Sequence, residues 1–130
     1  MRYTNEFCAS FAGALYDYLN SKKIMSKIVV LMGIVDDHDN EPYKSYHVVI
    51  KHNDSYYDVG GQRTVAEMKQ QLLWEPDTVR EVESVNTIWD IMGEEEDSMN
   101  FGNSATLKQA LLYIRRHWWP QNAFYFGLTP

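Results

Sequence analysis

A chain of 130 residues with 45% hydrophobic and 14% aromatic side chains is the length of one domain and carries enough apolar surface to bury a core without metal or disulfide staples, which excludes a disordered segment. Its formal net charge of −6, from 12 Lys and Arg against 18 Asp and Glu, excludes the broad basic face needed for sequence-independent nucleic-acid binding. One cysteine rules out an internal disulfide, and no stretch reaches a signal-peptide core or the roughly 18 apolar residues of a membrane span, so the expectation is a single cytoplasmic domain over residues 1–130 with no membrane contact.

From Thr4 to about Asn20, apolar residues recur at three- and four-residue spacing (Phe7, Cys8, Phe11, Ala12, Leu15, Tyr16, Leu19), which predicts a helix capped by Thr4 or Asn5 and closed by Asn20-Ser21 with Lys22 and Lys23. Lys27 to Val35 (KIVVLMGIV) is a β-branched run that reads as a largely buried strand, and the following DDHDNEP is a loop. Ser45 to Lys51 alternates, turn residues His52 to Ser55 follow, and Tyr56 to Val59 returns, so these segments form a β-hairpin, with Gly60-Gly61 ending the strand. Thr64-Val65-Ala66-Glu67 is a capping box opening a helix to about Trp74. Val79 to Val85 is a further strand, Ile88 to Met92 a short helical turn, and Gly93 to Asn103 polar and irregular. Ser104 caps a last helix with the apolar stripe Leu107, Ala110, Leu111 and Ile114, which Pro120 stops, and the aromatic tail through Phe124, Tyr125 and Phe126 packs onto its own domain. The fold class is α+β: an N-terminal helix on an antiparallel sheet of about three to five strands, with two further helices covering it.

Cys8 stands in the first turn of its helix, where unpaired backbone N–H groups and the helix dipole stabilise a thiolate and can also face the oxyanion of a tetrahedral intermediate. The same position lies within the apolar stripe, so a buried structural thiol is an equally open reading. On the hairpin, Tyr46, Val48 and Ile50 take one face and His47, Val49 and Lys51 the other. A two- or four-residue connection pairs Val49 with Asp58, making His47 and Asp58 diagonal neighbours, close enough for the carboxylate to hold the imidazole. A one-residue slip would separate them.

Cysteine at the start of CASFAGALYDYL, then histidine and aspartate within HVVIKHNDSYYDVGG, resemble the papain-like and transglutaminase-like superfamily. The resemblance covers the first half of the chain. It implies a Cys8 nucleophile, a His47 general base and an orienting Asp58, and with them thiol-dependent acyl transfer, peptidase or amidase chemistry foremost, on a protein or peptide substrate and without a cofactor. Papain-like enzymes commonly carry a glutamine ahead of the cysteine for the oxyanion; no glutamine precedes Cys8, so Asn5, one turn earlier, is the candidate donor, with Gln62 after the paired glycines as an alternative. That departure keeps a second reading open, a non-catalytic protein-binding module, an inhibitor or decoy, built on the same fold. The acidic loop Asp36 to Glu41 lacks EF-hand spacing, and His38, His52 and His117 have no zinc-type pairing with cysteine, so no metal is expected.

Overall fold

The computed structural model describes residues 5–35, 43–64, 66–68, 78–82 and 104–128. Helix α1 (Asn5–Ser21) precedes strands β1 (Lys27–Val35), β2 (Tyr43–His52), β3 (Ser55–Asp58), β4 (Gly61–Arg63) and β5 (Thr78–Val82), and the described chain closes with α2 (Ser104–Tyr113), a π-helical turn (Ile114–Trp118), α3 (Trp119–Asn122) and a 3-10 turn (Ala123–Phe126). The five strands form one antiparallel sheet in the order β4-β3-β2-β1-β5, so the architecture is α+β. The acidic loop, the run from Lys69 toward Trp74, and everything expected between Glu83 and Asn103 lie outside the described residues.

The unbroken apolar run of β1 follows from its place in the sheet. It lies between β2 and β5, and both of its faces are buried: Ile28 and Val30 meet α1 and the C-terminal helices, while Val29 and Leu31 pack with Val49 and Met68 on the opposite side. A strand covered on both faces has no solvent side on which to place polar residues.

Helix α1 is more enclosed than a one-sided stripe implies. Every residue from Cys8 to Leu15 is buried, including Ala9, Ser10, Gly13 and Ala14 off the predicted stripe. These small side chains let α1 sit between the sheet, chiefly β2, and α2. The helix ends in a Schellman pattern: Lys23 adopts φ 62°, Ile24 N–H donates to Leu19 O at 2.9 Å and Lys23 N–H to Asn20 O at 3.0 Å.

The β2–β3 hairpin turns on Asn53-Asp54, with His52 opposite Ser55 and Asn53 at φ 55°. The strand ends before Gly60-Gly61, as the sequence suggested, but the sheet continues. Gly61, at φ 103°, reverses the chain into β4, which pairs back on β3 through Tyr57–Gln62 and Tyr56–Arg63. A Cβ at Gly61 would also meet Asn122 Oδ1 at 3.1 Å, so the turn needs glycine for conformation and for close approach. The capping box is formed: Thr64 N–H donates to Glu67 Oε1 and Glu67 N–H to Thr64 Oγ1, both at 3.1 Å.

Pro120 does not stop the last helix. The chain passes from α2 into the π-turn, where Trp119 N–H bonds Ile114 O, and Pro120 then falls in the first turn of α3, where a missing N–H removes nothing the helix needs. The aromatic tail docks in part. Trp118 and Trp119 are buried and Phe126 is packed against the core, but Phe124 and Tyr125 are exposed, their rings 4.0 Å apart.

Candidate active site

The hairpin register decides where the strand residues meet. Ile50–Tyr57, Lys51–Tyr56 and His52–Ser55 are the paired positions, and continuing that register sets Asp58 opposite Val49 and diagonal to His47. His47 Nε2 and Asp58 Oδ2 lie 3.4 Å apart, with both side chains largely shielded from solvent. Helix α1, lying across β2, brings Cys8 to the same imidazole, which it meets through a hydrogen bond and, when ionised, through its charge.

Electrostatics follow from this sandwich. Burial by itself pulls the His47 pKa down, but the hydrogen bonds to Asp58 and Cys8 and the negative charge of both partners outweigh it and raise the imidazole to about 10. Asp58 moves the other way. Burial alone would raise it, yet the hydrogen bond with His47, the Gly60 N–H on Oδ1 at 2.8 Å and the positive charges of His47 and Arg63 hold it below the ordinary carboxylate range. The imidazole thus lies between a carboxylate and a sulfur, and both partners favour its protonated form.

Three groups around Asp58 were given no role at this site from sequence. Gly60 contributes its backbone N–H, and this role is foreshadowed by the paired glycines two residues after the aspartate. Arg63 Nε stands 3.6 Å from Asp58 Oδ1. Trp118 donates its indole N–H to the Asp58 carbonyl at 2.8 Å, and Asn122 donates to Trp118 O at 2.8 Å while its own oxygen abuts Gly61. The C-terminal helical segment thus grips the β3–β4 turn at both ends. No local pattern announces Trp118, which lies sixty positions from Asp58.

Of the oxyanion donors, Gln62 is committed elsewhere: its Nε2 donates to Ser55 Oγ at 3.2 Å and Tyr57 Oη at 3.1 Å, across the strands. Asn5 opens the described part of α1, and its side chain lies outside the described residues. Cys8 itself is only 8% exposed. Among the described residues, no group of three or more His, Cys, Asp and Glu side chains is placed to hold a metal ion, and no helix is long and apolar enough to cross a membrane. No family model, curated protein or solved structure matches this chain.

Proposed function

We propose that this protein is a thiol-dependent acyl-transfer enzyme of papain-like or transglutaminase-like type, a cysteine peptidase or amidase foremost, working in the reducing cytoplasm on a protein or peptide. The observation that carries this reading is one imidazole shared between a carboxylate and a thiol, with His47 Nε2 3.4 Å from Asp58 Oδ2 and Cys8 hydrogen-bonded to the same ring. In the proposed reaction the Cys8 thiolate attacks the carbonyl carbon and forms a C–S bond. His47, already an imidazolium, gives its proton to the leaving amine as the C–N bond breaks. Water then attacks the acyl-enzyme, its proton passes to His47, and the thiolate departs; an amine in place of water makes the same sequence a transamidation. Asp58 keeps the ring turned and its charge compensated. Backbone N–H groups in the first turn of α1, with Asn5 as the side-chain donor, would stabilise the oxyanion.

One observation favours a second reading. A nucleophile must be reached by substrate, and Cys8 is only 8% exposed, which suits a protein-binding module that retains the fold without turnover, its acidic surface directed at a basic partner. Alkylation by iodoacetamide separates the two. In an enzyme, Cys8 reacts at pH 6–7 about tenfold or more faster than cysteine in an unstructured peptide, and His47→Ala abolishes most of that advantage. A rate no greater than that of the peptide, indifferent to His47→Ala, supports the binding module.

A further inference from the structure

Arg63 is the one cation that the fold brings to Asp58 besides His47 among the described residues. It stands on β4, one strand beyond Asp58, and its register partner is Tyr56. The side chain is mostly covered, its Nε is buried, and that Nε makes no hydrogen bond within the described residues, although Asp58 Oδ1 lies 3.6 Å away. The space it occupies exists because residue 60 is glycine: any Cβ there would collide with the Arg63 guanidinium and approach Asp58 Oδ1 to 3.2 Å. Asp58 is thereby addressed on both oxygens. Oδ2 meets His47, while Oδ1 receives the Gly60 N–H and faces Arg63.

We propose that Arg63 is a positioning residue for this site: its guanidinium, set against Asp58 Oδ1 while Oδ2 meets His47, keeps the carboxylate charged and turned toward the imidazole. The inference rests on the acyl-transfer reading of Cys8 and His47. On that reading four groups of alternating sign follow one another in contact, the Cys8 thiolate, the His47 imidazolium, the Asp58 carboxylate and the Arg63 guanidinium, and they come from α1, β2, β3 and β4 respectively. Among the described residues the C-terminal helices contribute the uncharged Trp118 indole to Asp58, so the charges that act on the carboxylate, beside its burial and the Gly60 N–H, are His47 on one side and Arg63 on the other, with Cys8 acting through the imidazole. A guanidinium suits the task because it cannot lose its proton near neutral pH and its fixed plane orients what it touches.

The test is the pH profile of Cys8 modification by a dipyridyl disulfide, which reacts with thiolates down to acid pH, in the full-length chain and in its Arg63→Gln, Arg63→Lys and His47→Ala variants. The Asp58 carboxyl carbon is followed by NMR in the same samples. Arg63→Gln is expected to move both the Asp58 titration and the acid limb of the reaction about half a unit to one unit toward neutral pH, with Arg63→Lys restoring most of the shift. That amounts to a loss of roughly three- to tenfold in rate at a fixed pH on the limb. An Asp58 titration that moves while the acid limb stays in place overturns the positioning role. So does an Arg63→Gln variant in which neither moves while His47→Ala still slows the reaction. A profile that His47→Ala leaves unchanged overturns the acyl-transfer reading itself.

Discussion

His47 and Asp58 carry opposite shifts, and each sets its own side of a stability window. His47 is raised from 6.5 to about 10, so its contribution is fully present below 6.5 and is lost as pH climbs through 10. Asp58 is lowered from 3.8, so its contribution is present above 3.8 and is lost as pH falls through the lower folded value. The pair stabilises the fold most between about pH 4 and 6.5. Thermal unfolding followed by circular dichroism is expected to show Tm declining from pH 6.5 toward 10, with a visibly shallower decline in His47→Ala. Equal slopes in the two proteins would mean that the imidazole is not held as a cation. Asp58→Asn should cost about 1–3 kcal/mol, since it leaves His47 and Arg63 facing a neutral amide in a largely buried site.

At the level of the element, local rules and tertiary demands pull apart at identifiable places. Thr64 and Glu67 satisfy each other's backbone donors within four residues, so the start of that helix is written where it occurs. The end of α1 is satisfied equally locally, but with the wrong residue for comfort: Lys23 occupies the left-handed position, φ 62°, that glycine takes without strain. Lys23→Gly is expected to stabilise the protein by about 0.5–1 kcal/mol in urea unfolding, and a loss of stability would show that the Lys23 side chain has a role of its own. The π-turn at Ile114–Trp118 is the contrary case. Its hydrogen-bond pattern serves no local preference, and the indole at its end reaches the Asp58 carbonyl at 2.8 Å. Pro120, a stop signal in isolation, is tolerated because it follows that turn and begins a new helix.

Across the whole molecule, α1 lies between the sheet and the C-terminal helices, and aromatic contacts join all three: Phe11 to Trp118 at 5.7 Å, Tyr57 to Phe126 at 4.7 Å and Tyr18 to Trp119 at 5.1 Å between ring centroids. Stability should follow that core rather than the surface charges. Leu15→Ala, in the middle of α1 and fully buried, is expected to cost about 2–5 kcal/mol. Glu81→Ala, which removes exposed pairs with Lys27 and Lys51, should cost less than about 1 kcal/mol. Comparable losses in denaturant unfolding would contradict this picture of the core. The helix α1, the span of β1, the β2–β3 hairpin and its register, and the capping box were all legible in the sequence, because each is specified by periodicity or by bonds between residues a few positions apart. The closeness of His47 and Asp58 belongs with them, since a two-residue turn and strand alternation suffice to bring the two side chains together. What tertiary structure alone decided is the rest of the surroundings: β4 folding back on β3 from Gly61, the burial of α1 all round from Cys8 to Leu15, and Arg63 and Trp118 converging on one aspartate, while the meeting of Cys8 with the imidazole was implied by the family resemblance and by no local pattern. These contacts join elements whose local patterns say nothing of one another, and only the packing of α1 and the last helices against one sheet sets the distances between them.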